Sequence, residues 1–453
     1  MSERRTSAER SECALWATGS RSTCARDNPG SSPRRGRWSS FQTHHVSGIK
    51  VGTQGTNRDI VFLSGVRTPF GTFGGALKDF SAIDLGVFAS KAALDLAQVE
   101  PKEIQHAIFG NVMQTTSDTI YYARHVALKS GVPQDVPALT VNRLCGSGFQ
   151  AVVSGAQEIL LDEAQVCLVG GGESMSQAPH IARGMRWGLQ LGKSPVLEDS
   201  LWEGLKDPYA GLAMGDTAEK VGAQFSVDRL CADEFALRSQ VLARDAWAAG
   251  IYADEVIGVP VRNPKTKKEE IFARDEHMRP DSTAEGLAKL RSVFKENGLV
   301  TAGNASGIGD GAGALVISSA EYAKRTGKKP LARLVSWGVV GVDPTIMGIG
   351  PVPASQIALK KAGMTLDQID LVEVNEAFAS QVCAVERGLG VDRNKLNIHG
   401  GAIALSHPLA ASGARICAHL IHALKATGKR YGLGSACIGG GQGIAVIIES
   451  LAS

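Results

Sequence analysis

From Ile60 onward the chain alternates short β-rich apolar runs with helix-length amphipathic stretches, and no other feature limits its fold as tightly. DIVFLSGV, AIFGNVM, AQVCLVGGG and GALVIS have the length and continuity of buried strands, while AIDLGVFASKAALDLA spaces its apolar residues as a helix does. Such alternation predicts an α/β protein, a parallel sheet with covering helices. Between about Ser174 and Thr301 the rhythm breaks into Trp-, Met- and Pro-containing stretches, a helical patch ADEFALRSQVLARDAWAAG and the charged run PKTKKEE. An inserted, loop-rich subdomain is expected there. With 453 residues the chain exceeds what one hydrophobic core usually spans, so two or three domains are expected.

An order of elements occurs twice. NRLCGSGFQAVVSGAQEIL followed by VCLVGGGES, and GGAIALSHPLAASGARICAHLIHAL followed by YGLGSACIGGGQG, each give a loop with a reactive side chain, Ser-Gly, a helix and a strand ending in glycines. Duplicated halves would bring their equivalent loops to one crevice at the carboxyl ends of strands.

Eight cysteines are scattered without a CxxC pair, which argues against a zinc site or a disulfide framework and suits a reducing compartment. No apolar run approaches the roughly 18 residues of a membrane helix, and neither a transmembrane segment nor a nucleic-acid partner is expected. Residues 1–56 hold nine Lys/Arg against four Asp/Glu, and the remainder 39 against 41, so the positive balance belongs to the tail. Its arginines among serines have the composition of an organelle transit peptide, and a disordered extension is the alternative. It has no apolar core of a secretory signal.

Cys145 stands just ahead of a helix start marked by Gly146, Ser147 and Gly148. A helix N-terminus favours an anion by about 0.3–1 kcal/mol, up to about 2, which moves a thiol from about 8.5 to about 7.5. Most of it stays protonated, so a base is needed. Taken alone, a cysteine beside a turn is more commonly a small buried hydrophobe. His407, held rigid by Pro408 ahead of Ser412-Gly413, is the base expected, at the place in the second copy that Cys145 has in the first. A single histidine can also be purely structural. Cys437 opens a glycine-rich run whose backbone N–H groups could hold an oxyanion, or which could simply be a tight turn. Asn375, between an apolar strand and a helix start, could hold a water or cap the helix. Gly146-Ser-Gly148-Phe-Gln-Ala151 also matches a dinucleotide-binding fingerprint, with Glu173 ending the next strand. The preceding PALTVNRL is too polar for that fold's buried first strand, and the match leaves Cys145, His407 and Cys437 without a task.

In order, SGVRTPFG, NRLCGSG, GGGESMSQAPH, TAGNASG, DGAGA, NEAFA, HPLAASG and CIGGGQG resemble the thiolase family over essentially all of residues 58–453. The resemblance implies a five-layered αβαβα fold with two similar halves: 57–173 with 302–328, and 329–453, with 174–301 as an inserted loop domain and 1–56 as an extension. It implies an acyltransferase that moves an acyl group from a 3-ketoacyl-CoA to CoA with release of acetyl-CoA, a reaction also run backwards as a Claisen condensation. A short-chain acetyl-CoA acetyltransferase and a degraded acyl-CoA-binding relative are the alternatives. Cys145 matches the acylated nucleophile, His407 the base, and His407 with a water held by Asn375 the first oxyanion hole. Cys437 matches the acid/base at the acetyl α-carbon, and the N–H groups of Cys145 and Gly439 match the second hole. Ser306 matches a pantetheine-contacting serine, with Arg279 and Ser282 near the nucleotide end. Coenzyme A enters as substrate, no permanent cofactor or metal is implied, and a homodimer or homotetramer in the mitochondrial matrix is, with the cytoplasm as the alternative. One departure stands out: the family's GHPxGxSG reads Ser406-His407-Pro408-Leu409-Ala410-Ala411-Ser412-Gly413, so strain is expected if either lost glycine supplied a positive φ.

Overall fold

The computed structural model describes residues 59–263 and 266–451, so the reading of the tail as a transit peptide lies outside the described residues. Nine strands form one sheet: β1 Ile60–Arg67, β2 His106–Gly110, β3 Ala138–Val141, β4 Val166–Ser174, β5 Gly309–Ser319, β6 Ala332–Gly341, β7 Leu371–Val374, β8 Tyr431–Ile438 and β9 Gln442–Ser450. A two-residue strand, Gly71–Thr72, adds to β5. The helices that matter for the site are α1 Ala82–Ala97, α2 Tyr122–Lys129, α3 Ser147–Leu160, α4 Arg229–Ala248, α5 Pro351–Ala362, α6 Ala379–Leu389 and α7 Ala411–Thr427.

The helix of AIDLGVFASKAALDLA begins and ends where its chemistry says it should. Ser81 caps α1 by accepting the Asp84 N–H at 3.1 Å, while Asp84 Oδ2 accepts the Ser81 N–H at 3.2 Å. At the other end Gln98 turns left-handed (φ +54°).

Strand order is β7-β8-β9-β6-β1-β5-β4-β2-β3. The expected parallel sheet is corrected to a mixed one. Parallel pairing survives only toward the ends, in β7–β8 and in β2 with β3 and β4, and every pair from β8 through β9, β6, β1 and β5 to β4 is antiparallel. The reason is local at β8: Gly440 and Gly441 take φ of +76° and +80° and close a hairpin into β9, which a strand–helix–strand rhythm does not foresee.

Both faces of the sheet are covered, as alternation along β1 shows. Ile60 and Phe62 enter a core shared by α3, α7 and strands of both halves, including Val169, Leu315, Ile444 and Val446. Val61 and Leu63 point the other way, to a core with Leu85 and Val126 of α1 and α2. On the far side of the second half, Val352 and Val382 of α5 and α6 pack on Ala445 and Ile447. The two halves of this one sheet lie on either side of the shared helices, so outer helices, half-sheet, shared helices, half-sheet and outer helices make the five layers expected. α3 and α7, the two copies of the repeated helix, share the middle layer.

The stretch between β4 and β5 contributes three separate two-stranded sheets, His180–Ala182 with Leu197–Asp199, Lys206–Asp207 with Leu212–Ala213, and Val259–Arg262 with Glu269–Phe272. It is tied to the frame by a buried cation: Arg67 at the end of β1 meets Asp275 at 2.7 and 2.9 Å and Glu255 at 2.9 Å. Glu255 in turn lies 2.7 Å from His419 of α7. Removing one partner of such a buried pair costs about 3–5 kcal/mol, because a charge is left behind. No helix among the described residues is long and apolar enough to cross a membrane.

Candidate active site

The turn before α3 is built to hold Cys145 against the second half. Leu144 takes a left-handed φ of +46°, directing the chain into a 3₁₀ turn, Leu144–Gly146, that runs straight into α3. Gly148 is required by close approach: a side chain there would meet the Ala414 nitrogen at 2.5 Å and the Ala410 carbonyl at 2.6 Å. The start of α3 is thus pressed on the start of α7, as expected of equivalent loops sharing a crevice.

Cys145 is partly exposed, and backbone N–H groups of Gly439 and of Cys145 itself point at its sulfur. These are the two groups that the resemblance assigns to an oxyanion hole. The expectation of a thiol eased downward by the helix end is corrected. Burial pushes the Cys145 thiol up to about 11, the two N–H groups counter part of that, and the Glu173 carboxylate raises it further. Cys437, the penultimate residue of β8, is buried, and its thiol is held well above the ordinary range by burial and then by charge on Cys145. Cys437 therefore lies within electrostatic reach of Cys145. Gly439 follows at the hairpin, with the Met214 sulfur 3.2 Å from where its side chain would begin.

His407 lies buried on the loop before α7, its backbone N–H donating to Gly307 O at 2.9 Å. Its ring is gripped on both sides: Nδ1 is 2.5 Å from Ser412 Oγ, and Nε2 is 3.3 Å from Asn375 Nδ2. The network assigns the tautomer. Ser412 gives its one hydroxyl proton to Pro408 O at 3.1 Å, so it accepts from Nδ1–H. Nε2 then carries the lone pair and accepts from the Asn375 amide. Burial, followed by the nearby Arg415 charge, pushes His407 down to about 3. Cys145 and His407 both rest neutral near pH 7. Among the described residues no hydrogen bond joins Cys145 to His407, and the Oδ1 of Asn375 is buried without a partner.

Glu173 connects the two sides. Fully buried at the end of β4, it accepts N–H groups from Met113 at 2.9 Å, Val112 at 3.2 Å and Ala410 at 3.1 Å, and Nδ2 of Asn111 at 3.1 Å. Burial pushes its carboxyl up to about 7 in spite of those donors. It reaches from the loop after β2 to the histidine loop, beside Cys145. The dinucleotide fingerprint singles out this residue only as an acid at the end of the next strand. Ser412 and Glu173 were the polar partners least visible in advance, signalled only by Ser-Gly after His-Pro and by an acid closing a glycine run.

The two lost glycines separate. Ser406 has φ +87° and ψ 166°, a region open essentially to glycine alone, and its hydroxyl donates to Gly307 O at 3.1 Å. Ala410 is ordinary helical backbone at φ −73°, ψ −22°, so the strain expected there is absent. Ser306 is next to Gly307, its N–H donating to Ala377 O at 3.0 Å beside Asn375. Arg279 and Ser282 sit on the loop before Ala284–Ala288; Arg279 N–H donates to Gln240 Oε1 at 2.8 Å and Ser282 Oγ to Arg279 O at 2.7 Å. No hydrogen bond among the described residues joins them to the thiols. The described residues contain no group of His, Cys, Asp and Glu arranged to hold a metal.

Two family models match the chain, the thiolase N-terminal domain over residues 60–321 and the thiolase C-terminal domain over 328–450. The mitochondrial 3-ketoacyl-CoA thiolase of Homo sapiens is 54% identical over 395 residues, covering 87% of this chain and 99% of that one. A beta-ketothiolase of Cupriavidus necator is 49% identical over 395 residues, covering 87% and 100%. Among solved structures, the human mitochondrial 3-ketoacyl-CoA thiolase in complex with CoA superposes with a TM-score of 0.85 at 54% identity, covering 87% of this chain and 98% of that one. With both family models matched in order, and with this fold, the chain belongs to the thiolase family.

Proposed function

We propose that the protein is a 3-ketoacyl-CoA thiolase whose acyl group passes through Cys145. The observation that carries this reading is that the N–H groups of Cys145 and Gly439 converge on a sulfur whose charge is felt by Cys437. A carbon–carbon bond is to be broken, so one thiol attacks a carbonyl while a second manages a carbon-bound proton.

In this mechanism the Cys145 proton moves to Nε2 of His407 as the sulfur attacks the 3-keto carbon; the neutral resting pair means that transfer and attack proceed together. The tetrahedral oxyanion is held by His407 and by a water on Asn375. Collapse breaks the C2–C3 bond, and the electron pair left on C2 takes the Cys437 proton, releasing acetyl-CoA. The thioester oxygen of that departing group is stabilised by the Cys145 and Gly439 N–H groups. A second CoA then gives its thiol proton to the Cys437 thiolate and attacks the acyl carbon; Cys145 leaves and recovers its proton from His407. Coenzyme A is substrate at each stage, with Ser306 beside its pantetheine arm and Arg279 and Ser282 toward its nucleotide end.

Residues 174–301 are proposed as the loop domain over which CoA lies, and 57–173 with 302–328 and 329–453 as the two catalytic halves. The mitochondrial names of the relatives, with the arginine- and serine-rich tail, support a mitochondrial enzyme. A homodimer or homotetramer is supported by the edge position of strand β3, on which Leu139 is exposed, and by exposed Ile120 and Tyr121 just ahead of α2.

The experiment is intact mass spectrometry after incubation with a series of 3-ketoacyl-CoA thioesters. The expected result is one acyl adduct per chain, mapped to Cys145, with a length optimum longer than acetoacetyl. An optimum at acetoacetyl-CoA makes the protein a short-chain acetyltransferase. CoA binding without any adduct makes it a degraded relative.

A further inference from the structure

Two thiols that the acyl-transfer chemistry does not use face each other. Cys231 lies in the first turn of α4, its N–H donating to the capping carboxylate of Asp228 at 2.8 Å. Cys383 lies inside α6 and is buried. Their sulfurs are 3.4 Å apart, across 152 residues of sequence. A disulfide spans about 2.05 Å, so roughly 1.4 Å of approach closes the bond, within reach of side-chain rotation and small helix shifts.

The surroundings differ from those of every other described thiol. Arg387, one turn beyond Cys383 on α6, places Nη2 3.6 Å from the Cys231 sulfur. The Cys383 thiol, then the charges of Arg387 and Arg393, hold Cys231 below the ordinary thiol range, whereas burial holds Cys145, Cys167, Cys417 and Cys437 above it. Cys231 is also partly exposed, so a small oxidant can reach it. A thiolate at a helix N-terminus, beside arginines and with a second thiol in contact, is the arrangement of a redox-reactive pair with its own resolving cysteine.

We propose that Cys231 and Cys383 are a peroxide-reactive dithiol that closes to a reversible disulfide, a modification site separate from the acyl-transfer thiols. The Cys231 sulfur attacks hydrogen peroxide, breaking the O–O bond and giving Cys231 sulfenic acid with one water. The Cys383 sulfur then attacks the sulfenic sulfur, its proton leaving with the hydroxyl as a second water. Both thiols are oxidised and the peroxide is reduced; an external dithiol reverses the step. The bond joins helices that flank Asn375: α6 begins four residues after it, and Ser239 of α4 donates to Glu376 at 2.7 Å. Because the raised Cys145 thiol carries little thiolate at neutral pH and, among the described residues, no arginine contacts its sulfur as Arg387 contacts that of Cys231, the pair is oxidised ahead of the nucleophile.

The test treats the full reduced chain with one equivalent of hydrogen peroxide, blocks free thiols and maps peptides without reduction. The expected product is a peptide pair linked through Cys231 and Cys383, two hydrogens lighter, abolished by dithiothreitol, formed while Cys145 still reacts with iodoacetamide and more than half of the turnover remains. In Cys383→Ser the oxidation stops at a Cys231 sulfenic acid that dimedone traps, with turnover under reducing conditions within two-fold of the parent. In Cys231→Ser, whose substitution is at a partly exposed position, Cys383 stays reduced. Oxidation of Cys145 while both thiols remain blockable, pairing of Cys231 with another cysteine, or no dimedone adduct in Cys383→Ser overturns the proposal.

Discussion

In the first half β2 leads to Asn111, a turn carries Cys145 into α3, and β4 has Glu173 as its penultimate residue; in the second β7 leads to Asn375, a loop carries His407 into α7, and β8 has Cys437 as its penultimate residue, with Gly439 just beyond it. Equivalent positions have opposite employment. Asn111 gives its amide protons to Gly172 O at 3.0 Å and to Glu173 at 3.1 Å and is used up in holding the backbone. Asn375 offers its amide to His407, and its carbonyl oxygen has no partner among the described residues. One half has spent its polar groups on rigidity; the other keeps them available. Both place a non-glycine residue of positive φ directly before the reactive side chain, Leu144 at +46° and Ser406 at +87°. Such residues persist only where their surroundings over-determine them.

Removing each half's reactive group should break the comparison most sharply. Cys145→Ala is expected to abolish the acyl adduct and lower turnover by about 10⁴ or more, since a nucleophile acts as part of a unit. His407→Ala is expected to lower kcat by about 10²–10⁴ while CoA binding, read by calorimetry, stays within a few-fold. Equal losses in adduct formation would make the two halves equivalent partners; a surviving adduct in Cys145→Ala would move the nucleophile elsewhere.

The neutrality of the resting pair predicts a pH dependence. Because burial raises the Cys145 thiol to about 11, the thiolate fraction at neutral pH is small and grows as pH rises. Alkylation of Cys145 by iodoacetamide, followed by peptide mapping, should quicken about tenfold per pH unit from 7 to 10 with no plateau. A plateau near pH 8 would show the helix end and the two N–H groups outweighing burial.

Glu173 binds the halves together, so its loss should register as stability. Glu173→Ala leaves the N–H groups of Met113, Val112 and Ala410 buried without their acceptor, an expected cost of about 3 kcal/mol in denaturant unfolding. The smallest effect concerns the altered histidine loop. Ser406→Gly removes about 1–3 kcal/mol of strain but loses a hydrogen bond and loosens the unfolded chain, for a net gain near 1 kcal/mol and a few-fold rise in turnover. Ala410→Gly, at a helical φ, should lower stability by about 0.5–1 kcal/mol without raising turnover. If both substitutions act alike, the distinction between the two positions fails.

Much of this was legible in the sequence where local chemistry decides. The span of α1 followed from its apolar spacing, and PALTVNRL, too polar for the buried first strand of a dinucleotide-binding fold, holds the edge strand β3. Cys145 and Cys437 drew notice as thiols beside glycine runs, and His407 by its place in the second copy of the repeated order. Antiparallel pairing at the centre was not legible, because it depends on which strands meet after the chain has folded. Glu173 and Ser412 were equally silent, since what singles them out is the set of N–H groups and the ring nitrogen brought to them from elsewhere.

The sequence by itself determined the elements, the duplicated order and the kinds of reactive side chain, because periodicity, caps and glycine turns act over a few residues. Tertiary structure alone decided the charge states and the strain. A helix end worth about 1 kcal/mol is overruled when burial raises Cys145 to about 11, and only the backbone shows that Ser406, not Ala410, occupies glycine's conformation. Desolvation and positive φ are properties of surroundings, and surroundings exist only once distant parts of the chain have met.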